Sequence, residues 1–304
     1  MSADRPAPLR GYIMPLLTPF NADGSVDEQG MRTNIDYLIG EGIHGITLTG
    51  SFGEFPLLSE PERIRLYEVA VEEAAGRCTV IAGTAHARTD TVIELGDAAA
   101  RAGADGVMMT PPHYLRPCDD DLRWHFGRIA AESKLPITIY NNPPRVAINM
   151  SVSLLVELSR LDNVVTIKQS SLDLTELIDL IDLTDGRDGF FVTNGQEPRA
   201  LPALVMGADA NYGISPLMLG RECISLYDCV RAGDLAQARA IQRKVNSIRR
   251  AFAAAAATPA AALRYLANKR GLAGGCTRAP IAALSDSDMQ LLDQAAADAG
   301  MTSV

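Results

Sequence analysis

The chain has 304 residues, of which 47% are hydrophobic and 21% are charged, a composition typical of a globular enzyme. This length allows one α/β barrel or two smaller domains. The net charge of −9 argues against a nucleic-acid partner, and no apolar run reaches the roughly 18 residues that a membrane span requires.

Apolar runs of strand length alternate with helical patterns as far as about residue 213. The clearest helix start is Ser59, because Glu62 stands three positions later and completes a capping box. Strands are predicted at residues 11–17, 43–49, 79–82, 105–109, 137–140, 164–168 and 190–193, with a poorer eighth strand at 208–213. Helices are predicted at residues 27–39, from Ser59 onward, and at 89–102, 119–133, 151–160, 172–183 and 197–206.

A short sequence motif that leads from a helix into a strand recurs at residues 40–46, 101–107 and 205–211. In each copy a glycine ends the helix and a tight polar turn follows. Eight strand–helix units at regular intervals predict a (β/α)8 TIM barrel, in the α/β class. The alternative, a doubly wound sheet, favours a glycine-rich fingerprint after its first strand, where Thr18-Pro19 stands instead.

The strand pattern ends near residue 215. Residues 1–215 are predicted to hold the barrel strands and helices, and residues 216–304 the last barrel helix and a C-terminal helical extension, within one continuous domain. An alanine-rich stretch at 251–257 is expected to stop at Thr258-Pro259. Because no polar constellation is visible in it, the extension is expected to serve packing or assembly rather than chemistry.

One of the four lysines follows a run that should be buried. Residues 163–167 read Asn-Val-Val-Thr-Ile, and Lys168 closes this strand, whereas Lys134, Lys244 and Lys269 lie in polar or arginine-rich stretches. A buried ammonium must find a partner or lose its proton, because desolvation disfavours the charged form. A lysine with a lowered pKa is a nucleophile toward carbonyl groups. The alternative is a lysine that snorkels from a strand end.

In a (β/α)8 barrel, chemistry lies where the strands end and the loops begin. Taken singly, the polar residues there have plainer interpretations, such as a tight turn at 50–53, a core tyrosine at Tyr140 and a surface arginine at Arg145. Together they supply an amine, hydroxyls that can move protons and a cation for a carboxylate. Imine chemistry on a keto acid requires this combination. The strand-end segments are 50–54, 110–114, 140–145, Lys168 and Asn194-Gly195.

Several of these motifs resemble those of a known family. Residues 50–54, Gly-Ser-Phe-Gly-Glu, resemble that family's Gly-[Thr/Ser]-Thr-Gly-Glu, while Tyr140-Asn141 ends the fifth strand and Ile167-Lys168 the sixth. Residues 111–117, Pro-Pro-His-Tyr-Leu-Arg-Pro, also match, and the order and spacing agree over residues 11–285. The chain thus resembles the dihydrodipicolinate synthase / N-acetylneuraminate lyase family of class I aldolases.

This resemblance implies a role for each matching residue. Lys168 would form a Schiff base with pyruvate or another 2-keto acid, and Tyr140 would shuttle protons to and from the adduct. Ser51 would hold Tyr140 in a hydroxyl relay, which Tyr114 would complete across a subunit interface of a homotetramer built from two dimers. Arg145 would bind the carboxylate of the second, aldehyde-type substrate, as in the synthases.

Four residues complete or modify this family pattern. Gly195 and Tyr212 are expected beside the bound keto acid, where Tyr212 adds bulk. Phe52 replaces a hydroxyl that helps to bind the keto-acid carboxylate in relatives, and Gln169 stands where synthases often have an acid. At Phe52 and Phe55 the sequence resembles the hydratase-aldolases and 2-keto-3-deoxy sugar acid dehydratases of the same family, so those activities are the alternative to synthesis.

Two alternatives of other kinds were weighed against Schiff-base chemistry. A metal-dependent barrel enzyme would need a ligand set, which the four histidines and the strand-end acids do not form, so neither a metal nor a cofactor is expected. A barrel that serves only in binding or regulation would not need Lys168 together with Tyr140. The five scattered cysteines and the polar residues 1–8, which do not resemble a signal peptide, fit a cytoplasmic location.

Overall fold

Eight parallel strands close into a barrel in the order of the sequence, and the last strand pairs with the first. The computed structural model describes residues 10–304, so residues 1–8, which predict no signal peptide, lie outside the described residues. The closed barrel confirms the predicted (β/α)8 fold and excludes the doubly wound sheet. The strands are β1 (Gly11–Pro15), β2 (Gly45–Leu48), β3 (Thr79–Gly83), β4 (Gly106–Met109), β5 (Ile137–Asn141), β6 (Val164–Gln169), β7 (Phe191–Asn194) and β8 (Ala210–Tyr212).

Helices connect successive strands and continue after the barrel closes. Between the strands lie α1 (Glu28–Gly40), α2 (Glu60–Ala74), α3 (Thr89–Ala102), α4 (Asp119–Glu132), α5 (Pro143–Val146), α6 (Val152–Leu158), α7 (Leu174–Thr184) and α8 (Ala200–Val205). After β8 come α9 (Pro216–Leu219), α10 (Arg221–Arg231), α11 (Leu235–Ala254), α12 (Pro259–Arg270) and α13 (Asp286–Asp298). The helical extension is therefore present, while its boundary at residue 215 stays a prediction.

Local sequence signals explain where several of these elements begin and end. The Ser59 hydroxyl accepts a hydrogen bond from the Glu62 backbone N–H, and the Glu62 carboxylate accepts one from the Ser59 N–H at 2.8 Å, which confirms the capping box. Gly103 ends α3 with a φ of 90°, a left-handed conformation that costs glycine little because it has no Cβ. The recurrent glycine-containing motif therefore ends a helix and turns the chain into the next strand.

Three local expectations differ from the structure. Residues 197–206 form a 3-10 turn, Glu197–Arg199, followed by the shorter α8. The loop that carries Arg145 is a single helical turn, α5, with prolines in its first turn. Helix α11 already ends at Ala254, so Thr258-Pro259 does not terminate it. These two residues instead begin α12, because the Thr258 side chain accepts a hydrogen bond from the Ala261 N–H and caps the helix.

One apolar core runs from the barrel into the extension, and a smaller cluster of seven buried residues that includes Tyr140 and Tyr212 fills the barrel interior. A buried ion pair also joins the two regions. The guanidinium of Arg264 in α12 pairs with Glu54 after β2 and donates to the carbonyl oxygens of Thr18 at 2.7 Å and Gly274 at 2.9 Å. The extension therefore holds the loop after β2 in place. Among residues 10–304, no helix is both long and apolar enough to cross a bilayer.

Candidate active site

Lys168 lies near the carboxyl end of β6, with its side chain in a pocket at the barrel mouth. Only 2% of the residue is exposed. Its neighbour in the strand register is Tyr140 on β5, and its Nζ lies 3.9 Å from the ring centroids of both Tyr140 and Tyr212. Gly195 makes room for this side chain, because a Cβ there would lie 3.1 Å from the Lys168 Cε and 1.8 Å from the Ser170 hydroxyl oxygen.

Burial gives the Lys168 amine an unusual acidity. Desolvation lowers its pKa from 10.5 to about 7. The two tyrosine rings attract an ammonium, but such contacts are worth on the order of 2 kcal/mol when desolvated, less than the several kcal/mol that burial of an ion costs. A substantial fraction of the amine is therefore neutral and nucleophilic at physiological pH.

The other three lysines lie in ordinary surface ion pairs. Lys134 contacts Asp97 at 2.8 Å, Lys244 contacts Glu222 at 2.7 Å and Lys269 contacts Asp293 at 2.8 Å. Each of these three ammonium groups keeps contact with solvent and with a carboxylate partner. The prediction that Lys168 alone follows a buried run agrees with this geometry.

Tyr140 is buried beside Lys168, and polar neighbours surround its hydroxyl. Burial raises the pKa of its hydroxyl. The hydroxyls of Ser170 and Ser51 and the guanidinium of Arg145 lower this pKa, but by less than burial raises it. The Tyr140 oxygen accepts a hydrogen bond of 2.8 Å from the Asn142 side-chain amide. This bond fixes the ring oxygen and leaves its own proton available to a neighbour.

The loop after β2 forms one wall of the pocket, with Ser51 and Phe52 half-buried in it. Arg145 is exposed, and its guanidinium carbon lies 5.9 Å from the centre of the Phe52 ring. The structure therefore brings Ser51, Phe52, Tyr140 and Lys168 together and leaves Arg145 above them, toward solvent.

Two further predicted site residues are placed very differently from each other. Tyr212 on β8 is 2% exposed and lines the pocket, where burial raises the pKa of its hydroxyl. Tyr114 is 93% exposed, has a φ of +74°, and does not belong to the described wall of the Lys168 pocket in its own chain. A role for Tyr114 in such a pocket would therefore require a second copy of the chain.

Two ionisable residues of the pocket wall were not anticipated from the sequence. Glu197 is 4% exposed, and its Oε1 accepts hydrogen bonds from the Tyr12 hydroxyl at 2.7 Å and the Ser215 N–H at 2.8 Å. Arg249 of α11 lines the same pocket, with its Nε 4.0 Å from the Glu197 Oε2. The extension, which was expected to serve packing or assembly, thus contributes one residue of α11 to the pocket wall.

The missed residues gave weak sequence signals. Glu197 could have been found, since it follows the seventh strand by three positions and strand ends are where barrels hold their chemistry. Asn142 lies in the strand-end segment 140–145, but the sequence analysis predicted no role for it. Arg249 gave no signal, because one arginine in an arginine-rich helix is indistinguishable from a solvated one. Within residues 10–304, no group of three or more His, Cys, Asp or Glu side chains could hold a metal ion.

A buried amine of lowered pKa, beside a protonated tyrosine at the carboxyl end of a (β/α)8 barrel, defines the class of this protein. It is an enzyme of the class I aldolase type, a lyase or synthase that acts on carbon–carbon bonds.

Comparisons with known proteins specify the family. The profile of the Dihydrodipicolinate synthetase family matches residues 8–299. A 4-hydroxy-tetrahydrodipicolinate synthase from Oceanobacillus iheyensis is 35% identical over 93% of this chain and 95% of its own. A dihydrodipicolinate synthase structure from Bacillus anthracis superposes with a TM-score of 0.90 at 28% identity, covering 95% of this chain and 98% of the other. The chain belongs to the dihydrodipicolinate synthetase family.

A further similar structure concerns assembly. It is that of a monomeric dihydrodipicolinate synthase variant, with a TM-score of 0.91, 24% identity and coverage of 99% of this chain and 100% of the other. At this identity the likeness shows the fold alone. The same fold therefore occurs in a protein described as monomeric, and the fold by itself does not fix the oligomeric state.

Proposed function

We propose that the enzyme forms a Schiff base between Lys168 and pyruvate or a related 2-keto acid and then makes or breaks a carbon–carbon bond to an aldehyde-type partner, as a dihydrodipicolinate synthase does. The observation that carries this proposal is the burial of Lys168, which brings the pKa of its amine to about 7 within an accessible pocket. The relatives named 4-hydroxy-tetrahydrodipicolinate synthase support the synthase-like direction.

In the first step, the neutral Lys168 amine attacks the keto carbon. A C–N bond forms, and the carbonyl oxygen takes up a proton, for which Tyr140 is the donor. A second proton, released by the nitrogen, converts this hydroxyl to water, and departure of the water leaves the protonated imine. Because burial raises the pKa of the Tyr140 hydroxyl, it is protonated at neutral pH and can act as the acid.

In the second step, the imine loses a proton from the adjacent carbon and becomes an enamine. The enamine carbon attacks the aldehyde, so that a new C–C bond forms and the aldehyde oxygen takes a proton. Ser51 and Tyr140 are the candidates for moving these protons, since both hydroxyl-bearing side chains line the pocket with Lys168. Hydrolysis of the imine then releases the product and restores the amine.

Substrate binding is assigned to the residues around this centre. Gly195 and Tyr212 flank Lys168 and would face the keto acid, and Phe52 would form an apolar wall. Arg145 at the mouth would contact a carboxylate of the second reactant.

Borohydride reduction tests the Schiff base. Treatment with pyruvate and borohydride should add a reduced adduct to the peptide that holds Lys168, and Lys168→Ala should abolish it. Lys134→Ala is the matched control, because Lys134 is a surface lysine whose loss leaves the pocket intact. An adduct on Lys134 or Lys244, or no adduct in the wild type, would contradict the proposal.

A second candidate function is that of a 2-keto-3-deoxy sugar acid dehydratase/aldolase or a hydratase-aldolase. Phe52 favours it, because this ring lies in the pocket wall where synthases hold a hydroxyl for the keto-acid carboxylate. Assays with pyruvate plus aspartate semialdehyde and with keto-deoxy sugar acids separate the two. Consumption of a sugar acid without product from aspartate semialdehyde would replace the synthase-like function by the alternative.

Homo-oligomerisation is also proposed, with Tyr114 supplied to the site of a neighbouring subunit. Its φ of +74° is costly for a residue other than glycine, and its side chain is almost fully exposed, as is expected of a residue that inserts into a partner. The family resemblance favours a dimer of dimers. Sedimentation should give a dimer or tetramer, and a fully active monomer would contradict this assembly. The cytoplasmic location stays a prediction from the cysteine pattern.

A further inference from the structure

The C-terminal extension places a guanidinium group in the Lys168 pocket without a partner that satisfies it. Arg249 lies in α11, its side chain is 22% exposed, and it lines the same pocket as Lys168. Its Nε and one terminal nitrogen are buried and have no hydrogen-bond partner among the described residues. The contact of 4.0 Å with the Glu197 carboxylate is too long for a hydrogen bond.

This arrangement is energetically incomplete. A guanidinium group is a cation with five N–H donors, and these donors need acceptors wherever they are withdrawn from water. Buried donors that lack an acceptor cost about 1–3 kcal/mol each, and more for charged groups. Glu197 cannot turn to Arg249 easily, because its other carboxylate oxygen is held by Tyr12 and by the Ser215 N–H. An acceptor group that enters the pocket can therefore satisfy Arg249 where Glu197 does not.

We infer that Arg249 is a specificity-determining residue, which binds a carboxylate at the end of the substrate distant from the Lys168 imine. This inference rests on the proposed function, because it takes Lys168 as the point where the keto acid is attached. A carboxylate supplies the acceptor oxygens that the guanidinium lacks. Glu197 disfavours a dianionic group such as a phosphate there, since a second negative charge would add to the repulsion.

Arg145, the cation expected from the sequence to bind this carboxylate, is less suited to it. Its side chain is exposed and stacked over Phe52. Exposed ion pairs are worth only about 0–1 kcal/mol, because water and salt screen them. A contact with Arg249 is made inside the pocket wall and is screened less. Arg249 is therefore expected to contribute more to the binding of the distal carboxylate than Arg145 does.

Two aldehydes of equal length distinguish this role from a structural one. With pyruvate as the first substrate, 4-oxobutanoate carries a distal carboxylate and butanal does not. Arg249→Gln should lower kcat/KM about 10- to 150-fold for 4-oxobutanoate, the range of a hydrogen bond to a charged group, mainly through KM. The change for butanal should stay within about twofold, and Arg249→Lys should restore part of the loss. Arg250→Gln is the matched control, since Arg250 is exposed on the same helix.

A binding measurement keeps this inference separate from the proposed function. In a Lys168→Ala background, where no imine can form, calorimetry compares glutarate with butyrate. Glutarate should bind more tightly, and Arg249→Gln should remove about tenfold or more of that preference. Equal losses of affinity for glutarate and for butyrate, which would leave the preference unchanged, would overturn the role of Arg249. If borohydride trapping fails in the wild type while the preference for glutarate over butyrate persists, the Schiff base is refuted and the role of Arg249 stands.

Discussion

Lys168 should react as an amine that titrates near neutral pH. Because burial lowers its pKa to about 7, about half of the molecules carry the neutral amine at that pH. A lysine that keeps the usual value of 10.5 would be neutral in roughly one molecule in 3,000 at pH 7. The site therefore gains a factor of roughly 10³ in the concentration of its nucleophile from desolvation alone.

Trace labelling with acetic anhydride at a series of pH values measures this titration, with the exposed Lys269 as an internal control, because its hydrogen bond to Asp293 raises the pKa of its amine. Labelling of Lys168 should rise to a plateau just above pH 7 and be blocked by pyruvate with borohydride, whereas labelling of Lys269 should keep rising at much higher pH. If Lys168 follows the same curve as Lys269, its amine is not desolvated and the reasoning from burial is refuted.

The same shift predicts how stability depends on pH. Between the folded pKa near 7 and the unfolded value of 10.5, the unfolded chain binds more protons, so the stability that depends on Lys168 rises with pH across this window. The full difference is about 5 kcal/mol. Lys168→Met should therefore unfold at higher urea concentration than the wild type at pH 6–7, with the gap closing as the pH approaches 10.5. A gap that does not change with pH would refute desolvation as the cause.

Four further predictions concern Tyr140, Glu54, Tyr114 and Phe52. Tyr140→Phe should lower turnover by roughly 10²–10⁴ while the imine can still be trapped, and near-normal turnover would make Tyr140 a packing residue. Glu54→Gln should lower the free energy of unfolding by about 3–5 kcal/mol in urea titrations, because it leaves Arg264 charged and buried without its partner; a loss below about 1 kcal/mol would contradict this. Tyr114→Ala should lower kcat in the assembled enzyme, and wild-type activity in that variant would separate Tyr114 from the site. Phe52→Thr should lower KM for pyruvate if the synthase-like function is correct, and a raised KM would favour the sugar-acid alternative.

The fold and the position of the buried lysine could both be predicted from local sequence. Strand and helix patterns depend on neighbours a few positions apart, and the glycines that end helices act through their own backbone angles, so eight repeated units were visible without the structure. Lys168 was identifiable because a strand that is buried on both faces leaves a polar residue at its end without solvent. The capping box at Ser59 is local in the same way.

The tertiary structure alone decided what surrounds that amine. The ion pair of Glu54 with Arg264 joins positions 210 residues apart in sequence, and no local pattern encodes such a contact. Likewise, the approach of Arg249 to Glu197 depends on how α11 packs against the turn that holds Glu197. An arginine in a helical pattern has the same local signature whether it faces water or a pocket. Only long-range packing, which sets the solvent left to each charge, determined which cation lines the pocket with Lys168.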